Sequence, residues 1–288
     1  MKISIIIPVG NLDEWAVCEA SLKASIAAYS GSVEAEVLPC YDLDHKGAHV
    51  ARNEGLRRAT GDWVAWVDCD DVVAREWFGE IAEAIERHAN PLANSNAERQ
   101  LIDVIQFDAT EVKDGKMRPL PYGRAGKVSG ETFARELLRN DGMPSWLWTR
   151  VFRREVLAGV AFAGRVKQDY RMFLQILPRI RNVWSIGKPL YRYIRHGHGL
   201  SNYVQPMDYT EAGKGFEAQI EELPVRWLHD ARVGLVLTMA DVARHSKREN
   251  GSRQWVRKYL MSVLFDLKVP FRLKAKALLA AVVRGADH

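Results

Sequence analysis

Three aspartates, Asp68, Asp70 and Asp71, directly follow an apolar run at residues 63–67 that reads WVAWV. A run so rich in β-branched and aromatic residues is typical of a strand that is buried on both faces of a sheet. The carboxylates then emerge together at the carboxyl end of that strand, where open α/β sheets bind their ligands. This stretch predicts a fold built around a buried sheet with an acidic edge.

The three aspartates have two interpretations. Carboxylates so close together repel each other, and a divalent cation that prefers oxygen ligands relieves the repulsion while it holds phosphate oxygens on its other positions. Alternatively, Asp70 or Asp71 caps a helix that begins near Val72. A cap needs only one acid, and the spacing alone leaves both interpretations open.

Apolar runs alternate with helical patterns through the first third of the chain. The predicted strands cover residues 3–8, 35–39, 63–68, 101–107 and 189–193. The predicted helices cover residues 13–29, 49–59, 75–88 and 129–138, with a hairpin turn at Asp114 and Gly115. Strands that alternate with helices predict a parallel sheet. We expect one domain over residues 1–203 and a helical C-terminal region over 204–288, with the boundary near Tyr203.

Cysteine usage and the N-terminus indicate a cytoplasmic protein. Cys18, Cys40 and Cys69 are odd in number and lack ligand spacing, which suits a reducing compartment better than a disulfide scaffold or a zinc site. The apolar segment at residues 3–8 is too short for a signal-peptide core or a membrane span.

Basic residues are concentrated near the C-terminus of this chain, whose formal net charge is +5. Elsewhere acidic and basic residues are mixed, and we predict no nucleic-acid partner. Residues 251–288 interleave basic with apolar side chains, which suits peripheral contact with an anionic membrane leaflet. A terminal helix that packs on the domain with a solvated basic face is the alternative.

Aromatic and basic residues also alternate at residues 143–157, and such a pattern suits a sugar or phosphate surface. The alternative is that Trp148 and Phe152, four residues apart, belong to the buried face of one helix.

Several separate segments resemble family 2 glycosyltransferases. In chain order they are IIIPVGN at 5–11, ARNEGL at 51–56, ATGDW at 59–63, DCDD at 68–71, WTRVFRR at 148–154, QD at 168–169 and PLYRY at 189–193. The order of the segments matches the family over residues 1 to about 202. The resemblance implies a GT-A fold with a mixed, mostly parallel sheet flanked by helices. It also implies a nucleotide-sugar donor, most often a UDP-sugar, Mn²⁺ or Mg²⁺ bound through the diphosphate, and inversion at the anomeric carbon.

Carried over by position, the resemblance divides the roles among the acidic residues. Asp68 contacts the nucleoside of the donor, Asp70 coordinates the metal, and Asp71 supports the site. Arg52 lies near the base or the phosphates, with an ordinary exposed helix arginine as the alternative. Asp169 matches the catalytic base, which takes the proton of the attacking acceptor hydroxyl, and helix capping is its competing role.

The chain departs from the family pattern at the donor-binding segments. Pro8 and Val9 match the donor-binding start, but Gly10 replaces the usual aromatic residue. The acidic turn after the second strand is shortened, so that Asp42 is the first candidate for contact with the base and Asp44 the second. Gln168 replaces the usual glutamate before the catalytic aspartate, which removes a negative charge next to Asp169.

Two histidines follow the last predicted strand. His196 and His198 lie in a glycine-punctuated segment, and an imidazole there, His198 first, is a candidate metal or phosphate ligand, with a solvated loop histidine as the alternative.

The resemblance, carried by these residues, implies an inverting, metal-dependent glycosyltransferase. It would transfer a sugar from a nucleotide-sugar donor to a glycan or lipid-linked acceptor in polysaccharide or cell-surface glycan synthesis. The alternatives are a noncatalytic nucleotide-sugar-binding protein with a degenerate site, and a nucleotidyltransferase, which is disfavoured because the chain start lacks a glycine-rich phosphate loop.

Overall fold

The computed structural model describes residues 1–88, 101–123, 125–139, 145–164, 166–195, 206–245 and 252–282. Within them, the strands are β1 (Lys2–Val9), β2 (Glu34–Tyr41), β3 (Trp63–Trp66), β4 (Val72–Val73), β5 (Val104–Lys113), β6 (Lys116–Leu120), β7 (Gly126–Ser129), β8 (Arg150–Arg153) and β9 (Asn182–Ile194). The helices are α1 (Leu12–Ala27), α2 (Ala48–Arg58), α3 (Trp77–His88), α4 (Gly130–Arg139), α5 (Gln168–Ile176), α6 (Pro206–Glu221), α7 (Leu228–His245), α8 (Ser252–Leu264) and α9 (Phe271–Val282).

One mixed sheet has the strand order β2-β1-β3-β8-β5-β9-β4, with β6 paired to β5 and β7 paired to β9. Strand β1 runs parallel to β2 and β3, and β5 runs parallel to β9. Strand β8 lies antiparallel between β3 and β5 and joins the two parallel groups. The predicted α/β class, a mixed sheet flanked by helices, is confirmed.

Most of the predicted elements appear with shifted ends. The hairpin at Asp114 and Gly115 joins β5 to β6, and both residues adopt positive φ angles, 49° and 72°. The prediction of one helix through Trp148 and Phe152 is wrong, because Trp148 lies in a 3₁₀ turn (Leu147–Thr149) and Phe152 in β8. Both side chains are nevertheless buried, as that interpretation expected.

The β1 strand presents alternate side chains to two layers of helices. Ile3, Ile5 and Ile7 belong to a core that also contains residues of α1 and α3, among them Trp15 and Trp77. On the other face, α2 approaches so closely that a Cβ on its Gly55 would lie 2.3 Å from Cγ2 of Ile6. The strand is therefore buried on both faces, as its continuous apolar run predicts.

The chain divides into two compact units. The first comprises Met1–Gly130, Trp146–Phe162 and Arg179–Gly199, and contains the sheet. The second comprises Glu131–Ser145, Ala163–Pro178 and Leu200–His288. The boundary expected near Tyr203 lies outside the described residues, and the assignment of residues 1–203 to one domain stays a prediction.

In the second unit, α4 and α7 pack at very short range, since a Cβ on Gly234 would lie 1.7 Å from the carbonyl oxygen of Leu138. Buried charges also pair between α4, α7 and the turn after α8. Arg139 Nη1 lies 3.0 Å from Asp230 Oδ1 and 2.8 Å from Asp266 Oδ2.

None of the described helices is both long and apolar enough to cross a membrane.

Candidate active site

The carboxyl ends of β2, β1 and β3 meet at one edge of the sheet. The N–H of Asp42, just after β2, donates to the carbonyl of Val9 at the end of β1 (2.8 Å). On the other side of β1, the N–H of Val67 donates to the carbonyl of Ile6 (3.1 Å). Val9 and Pro8 are buried, so these two positions offer their backbone more than their side chains to a ligand.

Asp42 organises the turn between β2 and α2. Its two carboxylate oxygens accept the N–H groups of Lys46 (2.8 Å) and Gly47 (2.7 Å). The turn needs positive φ at His45 (53°) and Gly47 (119°). Asp44 is exposed and pairs with the Lys46 ammonium at 3.2 Å. Asp42 therefore has a structural role of its own, and its contact with a nucleobase stays a prediction.

Arg52 lies on α2 and reaches the acidic cluster. Its Nη2 is 3.1 Å from Oδ1 of Asp68, and its guanidinium lies 5.8 Å from the ring centre of Phe162. The residue is only 7% exposed, so it is not the ordinary exposed arginine of the alternative interpretation. Arg52 places a positive charge directly beside the first of the three aspartates.

The next residue, Asn53, fixes the backbone of the segment on which Arg52 packs. Its amide donates to the carbonyl of Phe162 and accepts the N–H of Phe162, both at 2.8 Å. We did not predict Asn53 as a site residue. Its position inside the ARNEGL segment at 51–56, next to Arg52, was the available signal.

The three aspartates sit in a tight turn after β3. The N–H of Asp71 donates to the carbonyl of Asp68 (3.1 Å), which closes the turn. The side chains of Asp68 and Asp70 are half-buried, whereas Asp71 is 1% exposed. Two of the three carboxylates therefore remain accessible at the sheet edge, and the third points into the protein.

Asp71 is held by β9. Its Oδ2 accepts the hydroxyl of Tyr191 (2.8 Å), and its Oδ1 accepts the N–H of Ile194 (2.7 Å). Burial and the negative charges of Asp70 and Asp68 raise the pKa of Asp71 well above its ordinary value. The interpretation of Asp70 or Asp71 as a helix cap is wrong, because Val72 and Val73 form β4 and α3 begins only at Trp77.

Tyr191 connects two of the aspartates and was not predicted as a site residue. Besides its bond to Asp71, its hydroxyl oxygen accepts the N–H of Asp68 (3.1 Å). Its buried ring stacks on Trp148 at 4.6 Å, and Trp148 stacks on Trp146 at 4.9 Å. The aromatic part of the 143–157 segment thus forms the wall behind the acidic turn. The signal for Tyr191 was its place in the PLYRY segment.

The donor set fits a divalent cation that is shared with a ligand. Among the described residues, no three acidic, histidine or cysteine side chains are grouped as a complete metal site. Mg²⁺ and similar cations are commonly bound through one or two carboxylates plus the phosphates of a substrate. Asp70 and Asp68 can supply such carboxylates. The candidate ligand His198, like His196, lies outside the described residues.

Asp169 lies in the second unit, in the first turn of α5. Lys167 takes the N-cap position, with φ of 52°, so the capping role weighed for Asp169 is wrong. An acid in the first turn still interacts favourably with the helix dipole. Asp169 is half-buried, and Gln168 beside it is 8% exposed.

Comparisons with known proteins support the predicted family resemblance. Residues 40–100, which contain Arg52 and the three aspartates, match the model of glycosyl transferase family 2. The chain therefore resembles glycosyl transferase family 2, as the sequence predicted. It is 27% identical over 226 residues to the uncharacterized glycosyltransferase YibD of Escherichia coli K12, a match that covers 69% of this chain and 63% of YibD.

A solved structure shows the same fold. The chain is similar to Staphylococcus aureus TarS 1-349, crystallised in complex with UDP-GlcNAc, with a TM-score of 0.64 and 17% identity over 97% of this chain and 87% of TarS 1-349. Glucosyl-3-phosphoglycerate synthase from Mycobacterium tuberculosis, crystallised with Mn²⁺, UDP and glucosyl-3-phosphoglycerate, gives a TM-score of 0.48 with 14% identity over 76% of this chain and 79% of that protein. The likeness to TarS 1-349 confirms the predicted GT-A fold.

Proposed function

We propose that this chain is an inverting glycosyltransferase of family 2. It transfers a sugar from a nucleotide-sugar donor, a UDP-sugar, to a hydroxyl of a glycan or lipid-linked acceptor in the assembly of a cell-surface glycan. One observation carries the proposal: the acidic turn at Asp68, Asp70 and Asp71 lies at the carboxyl edge of the sheet, within the segment that matches the family model. The UDP-GlcNAc complex of TarS supports the choice of donor.

The donor binds at the ends of β1, β2 and β3 in this proposal. Pro8 and Val9 offer backbone groups to the nucleoside, and Asp68 offers its half-buried carboxylate. Asp42 lines the base side through the turn that it closes. Arg52 holds Asp68 in place and offsets its charge near the diphosphate.

Asp70 is the residue assigned to the divalent cation, Mn²⁺ or Mg²⁺. When bound, the cation stabilises the charge that grows on the departing diphosphate. Asp71 keeps its place through Tyr191 and Ile194, and this fixes the turn that carries Asp70. A rigid turn of this kind lets one carboxylate be held at a defined position for a shared ligand.

Asp169 is assigned as the general base. Its carboxylate takes the proton of the acceptor hydroxyl while that oxygen forms a bond to the anomeric carbon. The bond from the anomeric carbon to the diphosphate oxygen breaks in the same step, and the nucleoside diphosphate leaves with the electron pair. Attack from the face opposite the leaving group inverts the anomeric configuration.

Titration calorimetry with UDP, with and without Mn²⁺, tests the donor and metal site. The wild-type chain should bind UDP more tightly with Mn²⁺, and Asp70→Ala should lose that difference. Asp13→Asn, an exposed acid in α1, is the matched control and should keep it. Binding of UDP that is independent of Mn²⁺ in the wild-type chain would remove Asp70 from this role.

The base is tested separately. Asp169→Asn should retain UDP binding while sugar transfer and donor hydrolysis fall by at least about 100-fold. An active Asp169→Asn enzyme would exclude Asp169 from the mechanism.

The second candidate function is noncatalytic binding of a nucleotide sugar. It is favoured by one observation, the engagement of both Asp42 oxygens by backbone N–H groups. Release of free UDP from a UDP-sugar by the wild-type chain, and its loss in Asp169→Asn, would exclude this candidate.

A further inference from the structure

Helix α9 exposes the larger apolar side chains and buries the small ones. Its buried positions against the second unit include Ala277, Ala280 and Ala281, which are 0, 2 and 8% exposed. The opposite face carries Phe271 (85% exposed), Leu278 (46%), Leu279 (59%) and Val282 (68%). A surface helix of a soluble domain ordinarily has the reverse pattern, with polar residues outward.

Basic residues flank this apolar face. With about 100° between successive residues, Phe271, Leu278 and Val282 lie within a narrow sector. Lys274 lies on one side of that sector and Arg272 on the other. An apolar centre with basic edges is typical of helices that lie in the interface of a membrane.

The turn before α9 presents two more apolar side chains. Phe265 is 75% exposed and Leu267 is 96% exposed. They alternate with two anchored residues, Asp266 and Val269, which are 8% and 3% exposed. Because Asp266 and Val269 are buried in the protein, the turn between them is held in place. Phe265 and Leu267 are therefore exposed to solvent before any partner binds.

The charge of this surface is positive because the nearby carboxylate, that of Asp266, is buried and paired with basic side chains. Asp266 is the only acidic residue between positions 252 and 282. Its Oδ2 accepts Arg139 Nη1 at 2.8 Å and lies 2.9 Å from His229 Nε2. Within the described part of the chain, Lys268, Arg272 and Lys274 form no ion pair, so their charges face outward unopposed.

We propose that this α9 surface, which consists of Phe265, Leu267, Phe271, Leu278, Leu279 and Val282 with the basic edge of Lys268, Arg272 and Lys274, binds the surface of an anionic lipid bilayer. Its 12-residue helix is about 18 Å long, too short to span a bilayer but suited to lie in its interface. The apolar side chains enter the acyl boundary, and the basic edge contacts the headgroups.

Charge decides against a second copy of the chain as the occupant. In a symmetric dimer the same surface faces itself, which would bring two sets of Lys268, Arg272 and Lys274 together. A soluble phosphate would use the basic edge but leave the apolar centre in water. An anionic leaflet matches both parts at once.

Co-sedimentation of the full chain with vesicles tests the proposal. The chain should bind phosphatidylcholine vesicles that contain phosphatidylglycerol, bind pure phosphatidylcholine weakly, and lose binding as salt rises. Lys268→Gln/Arg272→Gln/Lys274→Gln should weaken binding about 100-fold, at about fivefold for each charge. Arg57→Gln/Arg75→Gln/Lys116→Gln removes three exposed charges from the first unit and is the control.

The apolar centre is tested with Leu267→Ser/Phe271→Ser. Both side chains are exposed, so the fold should be kept while binding to anionic vesicles falls by about tenfold or more. Val17→Ser/Met117→Ser, at residues 61% and 63% exposed in the first unit, is the control. Equal binding of the wild-type chain and the Leu267→Ser/Phe271→Ser variant would overturn the proposal.

Insertion is tested with a fluorescent label. Cys18, Cys40 and Cys69 are buried, so Leu267→Cys can be labelled selectively with an environment-sensitive dye. The dye should shift to the blue on anionic vesicles, whereas the same dye on Val225→Cys, at a residue 84% exposed, should not. An unshifted dye at 267 on bound chain would overturn the proposal. So would full displacement from vesicles by millimolar glycerol phosphate, or a dimer that is lost in Leu267→Ser/Phe271→Ser without any vesicle binding.

Discussion

The hydroxyl of Tyr191 donates to the buried carboxylate of Asp71 at 2.8 Å, across 120 residues of sequence. The same oxygen accepts the backbone N–H of Asp68 at 3.1 Å. One phenol therefore ties both ends of the acidic turn to β9. The turn is therefore held by hydrogen bonds to this strand and not by a helix that follows it.

Tyr191→Phe should loosen the acidic turn. The change leaves the N–H of Asp68 and one oxygen of Asp71 without their partner but keeps the ring stacked on Trp148. We expect a loss of about 1–3 kcal/mol in the free energy of unfolding, measured by urea denaturation. Tyr193→Phe is the matched control on the same strand and should stay near wild type. Equal stability of both variants would contradict this view of the turn.

Arg52→Met should weaken donor binding. It keeps most of the apolar contact with Phe162 but removes the positive charge 3.1 Å from Asp68. The unopposed carboxylate then repels the diphosphate, and the dissociation constant for UDP should rise about tenfold or more. Calorimetry measures the effect, with Arg57→Met on the exposed side of α2 as the control. An unchanged UDP affinity would place Arg52 outside the donor site.

Local signals in the sequence predicted the strand before the acidic turn, and they also account for the cap of α1. Asn11 accepts the N–H groups of Asp13 (2.9 Å) and Glu14 (3.3 Å), as a cap at that position should. These features depend on neighbours within a few residues, so composition and spacing were enough. The same holds for the hairpin at Asp114 and Gly115.

Such local signals do not indicate which residues pair when they lie far apart in the sequence. The insertion of β8 between β3 and β5 places Phe152 opposite Val64, and no local pattern indicates that partner. The interpretation of Asp71 as a helix cap failed for the same reason, because its partner Tyr191 lies on a distant strand. The family resemblance indicated that the segments of Asp71 and Tyr191 belong to one pattern. It did not indicate the hydrogen bond between the two side chains.

Acid should weaken the second unit through Asp266. Burial raises the pKa of Asp266, but hydrogen bonds from Arg139, His229 and the N–H of Lys268 outweigh it and hold the pKa well below the ordinary value. A carboxyl with a lowered pKa stabilises the fold above its unfolded pKa of about 3.9, and this contribution disappears as the pH falls toward the folded value.

The stability advantage of the wild-type chain over Asp266→Asn should therefore be constant from about pH 7 to about pH 5 and shrink below about pH 4. Urea denaturation at stepped pH measures it. Asp241→Asn, at an exposed acid of the same unit, is the control. A difference between wild type and Asp266→Asn that stays constant down to about pH 2 would contradict the role of Asp266.

Gly55→Ala should be destabilising because α2 packs on β1 without space for a methyl group. The added Cβ would lie 2.3 Å from Cγ2 of Ile6 and 3.1 Å from Sγ of Cys40. Strain of this kind typically costs about 1–3 kcal/mol, which chemical denaturation would detect. In α3, Gly79→Ala meets nothing closer than Tyr29 Cδ2 at 3.8 Å and should be neutral or slightly stabilising. Ile6→Ala removes Cγ2 and Cγ1, which would lie 2.3 and 3.1 Å from the added Cβ, so the double variant Gly55→Ala/Ile6→Ala should be more stable than the sum of the two single changes predicts. Strict additivity of the two changes would show that the short contact at Gly55 does not set the distance between α2 and β1.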